Sequence, residues 1–488
     1  MFKKTKIVAT ISDLRCDVDF LKSLYEAGIN VVRMNSAHMT EEGFVQVIKN
    51  VRAVSPTLGI MMDTKGPEIR TTATESGEKI KVQTGDKIRI IGNINVKSTP
   101  EQVSVSYPTI VEDVPVGNIL LIDDGETALQ VIDKTKDYLL CEVQNNGTIG
   151  SRKSVNIPGV SINLPSITAK DKRSIEIAIA NDCDFIAHSF VRNRQDVLDV
   201  QKILDEHNSP IKIIAKIENQ EGVDNIDEIF ETAYGVMVAR GDLGIEVPQE
   251  NIPGIQRLLI RKAVEYKKPV IVATQMLHTM IENPRPTRAE IADIANAVYY
   301  GTDAVMLSGE TAYGKYPLEA VKTMASVCRT SELSKLAERV VPVPFKDSEY
   351  DRTSFLAKQA VKSCSQLGIK AIITDSVTGR TARTIAAFRS QSPVYSFCSN
   401  IHVARWLSVC YGVDPRYQEE QTVISNRHKE YFLRAIKNLK ETNAVDGNDY
   451  VTYLSGTFTD GKGGTSFLEI EKVSNVLDAS DKFFVPRD

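Results

Sequence analysis

Apolar residues in this chain fall into short, near-continuous runs that alternate with segments of helical period. The runs are "TKIVATI" (5–11), "INVVRM" (29–34), "LGIMMDT" (58–64), "DFIAHSF" (184–190), "IKIIAKI" (211–217), "GVMVAR" (235–240), "PVIVATQ" (269–275) and "DAVMLS" (303–308). β-Branched and apolar at successive positions, they read as strands buried on both faces. Between them, segments such as 17–28, 252–268 and 286–300 repeat apolar residues at helical spacing, with Pro286 suited to a first helical turn. Repeated strand–helix units of this kind predict an α/β fold, a (β/α)8 TIM barrel rather than an open doubly wound sheet.

One connection breaks the rhythm. After "MMDTKGPEIR" (61–70), no helix pattern returns until the neighbourhood of Lys170, and the interval reads as strands at 78–92, 119–133 and 138–159 with Gly-containing turns. A structureless loop of that length is improbable, so the interval is expected to be an inserted β-barrel domain. It leaves the barrel after its third strand, on the face where such barrels carry their chemistry, and is placed to act as a lid. The stretch 340–353 reads as a linker, followed by a second α/β series with helices near 353–367 and 380–389 and strands at 370–374, 393–397, 449–456 and 466–473. The expected domains are a barrel over 1–66 and 166–338, the lid over 67–165, and a C-terminal α/β regulatory domain over 350–488.

Composition narrows the partners. With 488 residues the chain is too long for one ordinary core, and 42% hydrophobic with 25% charged residues is globular. A net charge of −4 argues against nucleic acid or a membrane surface recognised by bulk charge. Seven scattered cysteines without a CxxC pair suit reduced thiols in the cytoplasm, and six unclustered histidines make a zinc site improbable. No run approaches the length of a spanning helix.

Candidate chemistry sits at the strand ends: Arg33 and Asn35, Asp63 and Lys65, Ser189, Lys216 and Glu218, Arg240 and Asp242, Thr274, then Ser308 and Glu310. In a strand, residues two apart share a face, so Lys216 and Glu218 project together. Glu218 and Asp242 follow consecutive strands, about 4.8 Å apart in a parallel sheet. Together they suit one hard divalent cation. Lys216, Arg33 and Arg240 add positive charge around the same point, and cations beside a carboxylate-held metal describe a phosphoryl-transfer site. The plain alternative is a buried Lys–Glu pair tying strand to helix. The turn in "VARGDLG" (238–244) opens towards a helix, where backbone N–H groups receive anions, or it is an ordinary turn.

The segments "TKIVATI", "VVRMN..H", "DTKGPEIR", "AKIENQEG", "VMVARGDLGIE", "ATQML", "NPRPTRAEIADIANAV" and "AVMLSGETAYGKYP", in this order, resemble the pyruvate kinase family over nearly the whole chain. The resemblance implies transfer of the phosphoryl group of phosphoenolpyruvate to ADP, giving pyruvate and ATP in glycolysis. It implies that Lys216, Arg33 and Thr274 are catalytic, with Lys216 stabilising the phosphoryl group as it leaves the enolate oxygen. Gly241, Asp242, Thr274 and Arg33 would bind substrate, and Glu218 with Asp242 would hold Mg²⁺ or Mn²⁺. A potassium ion is implied at Asn35, Asp63 and Thr64, and nucleotide at His38, Arg70 and Lys153. In the C-terminal domain, "TDSVTGRTAR" (374–383) resembles a phosphorylated-effector loop at Ser376, Thr378, Gly379, Arg380 and Thr381, with "GKGGTS" (461–466) able to close over it. Homotetramers under allosteric control are implied as well.

The chain departs from the family in two places. The family's R-x-N-F-S-H-G reads "RMNSAHM", which puts Ala37 at the serine of the potassium site and displaces Ser36 by one. Glu68 keeps the glutamate of potassium-dependent members. "ISDL" (11–14) replaces the family's "IGP". Two other readings stay open on sequence alone: a Mg²⁺-dependent barrel lyase or aldolase, and a catalytically impaired homologue kept for effector binding.

Overall fold

The computed structural model describes residues 2–37, 39–334, 343–344, 351–419, 427–456 and 465–483. Lys6–Thr10, Val31–Asn35, Gly59–Asp63, Phe185–His188, Lys212–Ile217, Gly235–Ala239, Val270–Ala273 and Ala304–Leu307 pair in parallel and close into a barrel. Alternation along each strand divides the core. Ile7 and Ala9 face outward and pack with Leu21, Leu24 and Val47 of the surrounding helices. Val8, Met61, Phe185, Ile214, Met237 and Ile271 fill the interior. Each such side chain contributes about 1.5–3 kcal/mol on burial. A substitution such as Phe185→Ala in the interior would cost about 3–5 kcal/mol.

Capping sets the helix starts. Thr168 and Asp171 form a capping box at Ala169–Ala180, as do Thr287 and Glu290 at Arg288–Tyr299. The second corrects the expectation for Pro286. Because Thr287 caps the helix, Pro286 lies before it rather than in its first turn.

The insert is all-β apart from a short helix at Ile110–Asp113, which the sequence pattern did not suggest. A six-stranded sheet and a two-stranded ribbon wrap one core containing Ile88, Val103, Leu129 and Cys141. Arg70 bridges Ser154 at one edge strand and Thr71 bridges Val105 at the other, joining the sheet into a barrel-like ring.

The expected linker at 340–353 lies largely outside the described residues. Beyond it, a five-stranded sheet runs in the order Val413–Tyr417, Val394–Cys398, Ala371–Ser376, Tyr450–Ser455, Phe467–Lys472, with only the last strand antiparallel. Strand Val413–Tyr417 was not legible, because Pro415 weakens its pattern; as an edge strand it tolerates the missing donor. The barrel interior continues directly into this domain: Ile385, Phe388 and Leu407 belong to the same apolar cluster as Val8 and Phe185. Arg389 seals the contact, donating to the Gly301 carbonyl and pairing with Asp303 at 2.9 Å.

Candidate active site

At the C-terminal ends of the barrel strands, Arg33, Asn35, Asp63, Thr64, Ser189, Lys216, Glu218 and Asp242 line one cavity of about 750 Å³. Lys216 is its centre. Its Nζ lies 2.8 Å from Glu218 Oε1, 2.7 Å from Ser189 Oγ and 3.2 Å from Asp63 Oδ1. Arg33 Nε donates to Asp63 Oδ2 at 2.6 Å, and its Nη1 donates to Thr10 Oγ1 at 3.1 Å. Ser189 Oγ donates to the Thr64 carbonyl at 2.7 Å, which leaves its lone pair for Lys216. Gly66 lets the neighbouring strand end approach closely at Ser189. Gly66 has φ +75°, and a Cβ there would come within 2.9 Å of Ser189 Cβ.

The charges are buried and mutually compensated. Burial alone would lower Lys216, but Asp63 and Glu218 overcome it and hold the ammonium above the ordinary lysine range. Burial would likewise raise Asp63, yet Arg33 and Lys216 keep it below the usual carboxylate value. Glu218 goes the other way. Burial pushes its carboxyl up to about 7; Lys216 opposes this and Asp242 reinforces it. Phe190 N donates to Glu218 Oε2 at 2.7 Å, and Oε1 meets the Lys216 ammonium at 2.8 Å. A buried carboxylate with spare lone pairs, lining one cavity with the second carboxylate of Asp242, is a donor set that a hard divalent cation completes. The residues present therefore fit such an ion.

A second part of the site lies across two neighbouring strand ends. Gly241 N donates to Thr274 Oγ1 at 2.8 Å, and that hydroxyl donates to the Ala273 carbonyl at 2.6 Å. Thr274 and Gln275 have φ of +70° and +55°. Such backbone is rare for a β-branched residue and costs about 1–3 kcal/mol. Arg240 is not aimed at the cavity, contrary to the charge ring expected for it. Its Nη2 donates to the Thr274 carbonyl at 2.6 Å, and its Nη1 pairs with Asp293 at 2.7 Å. Glu310 is also structural, accepting from Leu277 N and Ser308 N.

The residues expected at a potassium site converge, but they are engaged. Asn35 Oδ1 accepts from Ala37 N at 3.0 Å, and both Asp63 oxygens face cationic side chains. Ala37 lines the cavity and brings no oxygen, whereas Ser36 is buried with an unpartnered hydroxyl outside the cavity lining. Of the expected nucleotide residues, His38 lies outside the described residues. Arg70 pairs with Glu68 at 2.6 Å and faces the cavity from the lid side. Lys153 pairs with Asp123 at 2.8 Å and lines a second cleft of about 650 Å³ between lid and barrel.

That cleft also holds a contact with no sequence signal, a hydrogen bond from Asn156 Nδ2 on the lid to Glu246 Oε1 at 2.7 Å. Glu246 belongs to the helix Arg240–Glu246 that carries Gly241 and Asp242.

In the C-terminal domain the expected effector residues form a strand-to-helix turn. Gly379, at φ +76°, caps the helix Arg380–Ala387, and Ser376 Oγ is buried without a partner. Thr378 precedes the cap. Arg380 begins the helix, and Thr381 Oγ1 meets Thr465 Oγ1 at 2.8 Å. Residues 461–464 of the expected closing loop lie outside the described residues.

Comparison with known proteins agrees over almost the full length. The family model "Pyruvate kinase, barrel domain" matches residues 2–321, and "Pyruvate kinase, alpha/beta domain" matches 355–471. A pyruvate kinase of Borreliella burgdorferi is 46% identical over 480 residues, covering 97% of this chain and 98% of that protein. One from Geobacillus stearothermophilus is 43% identical over 98% of this chain and 81% of its own length. Among solved structures, a pyruvate kinase from Cryptosporidium parvum superposes with a TM-score of 0.89 at 36% identity, covering 96% of each chain.

Proposed function

The chain belongs to the pyruvate kinase family, and from that premise we propose how its residues divide the work of moving a phosphoryl group from phosphoenolpyruvate to ADP. The observation that carries the division is the position of Lys216, charged and buried among Asp63, Ser189 and Glu218 in one cavity with Asp242. Lys216 and Arg33 present fixed positive charge to the transferring phosphoryl oxygens, and need no rearrangement because Asp63 already holds both. Glu218 and Asp242 would hold a divalent cation, Mg²⁺ or Mn²⁺, which when bound supplies charge neutralisation for the phosphate and the enolate oxygen. Gly241 N–H and the Thr274 hydroxyl exchange their present bonds, to each other and to the Ala273 carbonyl, for the substrate carboxylate, which the backbone of Asp242 also receives. Thr274 also orients the water that protonates the enolate carbon.

The nucleotide enters from the lid side, where Arg70 and Lys153 offer cations; His38, outside the described residues, is a nucleotide contact by family resemblance alone. A potassium ion would take oxygens of Asn35, Asp63 and Thr64, with water in place of the hydroxyl missing at Ala37. A phosphorylated effector would occupy the turn of Ser376, Thr378, Gly379, Arg380 and Thr381, and the active form would be a cytoplasmic homotetramer. All seven cysteines are buried free thiols, in keeping with a reducing compartment. No helix among the described residues is long and apolar enough to cross a membrane. The lyase or aldolase reading loses its ground to the family match, and the impaired-homologue reading to the convergence of Lys216, Glu218 and Asp242 on one cavity.

The test is pyruvate formation from phosphoenolpyruvate and ADP with Mg²⁺, in potassium and in a matched large organic cation. Strong stimulation by potassium is expected. Equal activity in both salts would remove the monovalent site and leave the rest standing. No turnover in either, with phosphorylated effectors added, would overturn the division of labour.

A further inference from the structure

Thr274 is held in a conformation its own chemistry disfavours, and one side chain bonds both carbonyls that flank it. Arg240 begins the helix that carries Gly241 and Asp242, and its guanidinium turns away from the cavity. It donates to the Thr274 carbonyl at 2.6 Å and to the Ala273 carbonyl at 3.3 Å, the two carbonyls flanking the positive-φ residue Thr274. Its remaining valence is fixed from behind by Asp293 Oδ1 at 2.7 Å and Gln256 Oε1 at 3.3 Å. A planar fork bridging two carbonyls and a carboxylate resists rotation in a way that a lysine ammonium does not.

We infer that Arg240, anchored by Asp293, is a positioning residue that acts through Thr274: by fixing the two carbonyls that flank Thr274 it keeps the hydroxyl beside Gly241, within reach of the substrate carboxylate and of the water serving the enolate carbon. The inference rests on the role proposed above for Thr274. Without the clamp, the strained peptide relaxes towards ordinary backbone and carries the hydroxyl with it, although Arg240 itself touches no reacting atom. A displacement on the scale of an ångström costs about 10²-fold in rate.

The experiment is a cycle of four full-length enzymes: unsubstituted, Arg240→Met, Thr274→Ala and the double variant. Each is assayed for pyruvate formation and, separately, for exchange of pyruvate methyl hydrogen in D2O, in which a C–H bond breaks to give the enolate and a C–D bond replaces it. Arg240→Met is expected to lower kcat and methyl exchange together by about 10²-fold, with KM for ADP unchanged. In the Thr274→Ala background the same substitution is expected to cost nothing further. Equal losses in both backgrounds, or a loss confined to KM for ADP, would overturn the inference. If Arg240→Met does not fold, Asp293→Asn runs the same cycle with the same pattern at smaller size. Failure of both to fold would assign the clamp to structure alone. A Thr274→Ala enzyme as active as the unsubstituted one would instead remove the proposed role of Thr274, and the inference with it.

Discussion

Lys216 is both buried and charged, a combination that survives only because three acceptors meet it. Replacing it by Met removes the ammonium in contact with Glu218 but leaves Asp63 paired with Arg33, so the barrel keeps its strand ends. The expected outcome for Lys216→Met is a loss of kcat on the order of 10³-fold with an unchanged far-UV circular dichroism spectrum; near-normal turnover would end its central role. At this scale the sequence spoke clearly where chemistry follows from spacing. Lys216 and Glu218, two apart at a strand end, do project together, and their 2.8 Å contact is the direct consequence. It spoke poorly where a partner lies far along the chain. Arg240 reads as one more cation in the ring, yet Asp293, 53 residues away, turns it into a clamp. Nothing local to either residue encodes that contact.

Between single residues and whole domains, helix ends do much of the joining. Helix Ile252–Tyr266 of the barrel ends at Lys267, which adopts a left-handed backbone at φ +57° and reaches Asp351 with its ammonium at 2.6 Å. Asp351 in turn caps the first helix of the C-terminal domain, accepting from Ser354 N at 3.1 Å. One carboxylate thus caps one helix and ties it to the end of another. Burial would raise Asp351, but Lys267 and Ser354 overcome it and hold it at about 2. A carboxyl depressed below its unfolded value of about 3.9 stabilises the fold above that value, and the contribution is lost as pH falls through about 4 towards 2. Asp351→Ala is expected to cost about 1–2 kcal/mol at pH 7 through the lost cap. Asp351→Asn, which can still cap, should cost less, and its gap from the unsubstituted protein should narrow between pH 7 and pH 3. Unfolding midpoints at the two pH values decide this, and a gap that widens on acidification would contradict it. Apart from Val413–Tyr417, the strands of this domain were legible from their apolar runs; the tie between its first helix and the barrel was not, because half of it is a lysine that reads as solvent-exposed.

The apolar clusters of the molecule do not follow its domain boundaries. The lid encloses its own cluster around Ile88, Val103 and Leu129, and meets the barrel largely through polar contacts: Asn156 with Glu246, Ser161 with Glu221, and Arg192 with the carbonyls of Ile162 and Leu164. One face of the C-terminal sheet shares a core with the barrel interior, where Phe185 and Ile214 pack in one cluster with Phe388 and Leu407, while its other face encloses a cluster of its own around Ile373, Phe397, Phe432 and Tyr453. No strand or helix pattern announces that sharing, since it joins runs some two hundred residues apart. Polar contacts exchange for water at little net cost, about 0.5–1.5 kcal/mol each, whereas parting a common apolar core exposes all of it at once. The lid should therefore open as a unit of its own, and the barrel and C-terminal domain should open together. Native-state hydrogen exchange tests this directly. Amides of the lid strands Lys87–Gly92 and Thr127–Lys134 are expected to exchange through a lower free-energy opening than those of Gly235–Ala239, while Ala371–Ser376 in the C-terminal domain should match the barrel. Glu246→Ala should lower the opening free energy of the lid strands alone. If Ala371–Ser376 exchanges well ahead of the barrel strands, the shared cluster does not bind the two domains into one cooperative unit, and any coupling from the effector turn to the active site would have to run through ion pairs such as Arg389–Asp303 instead.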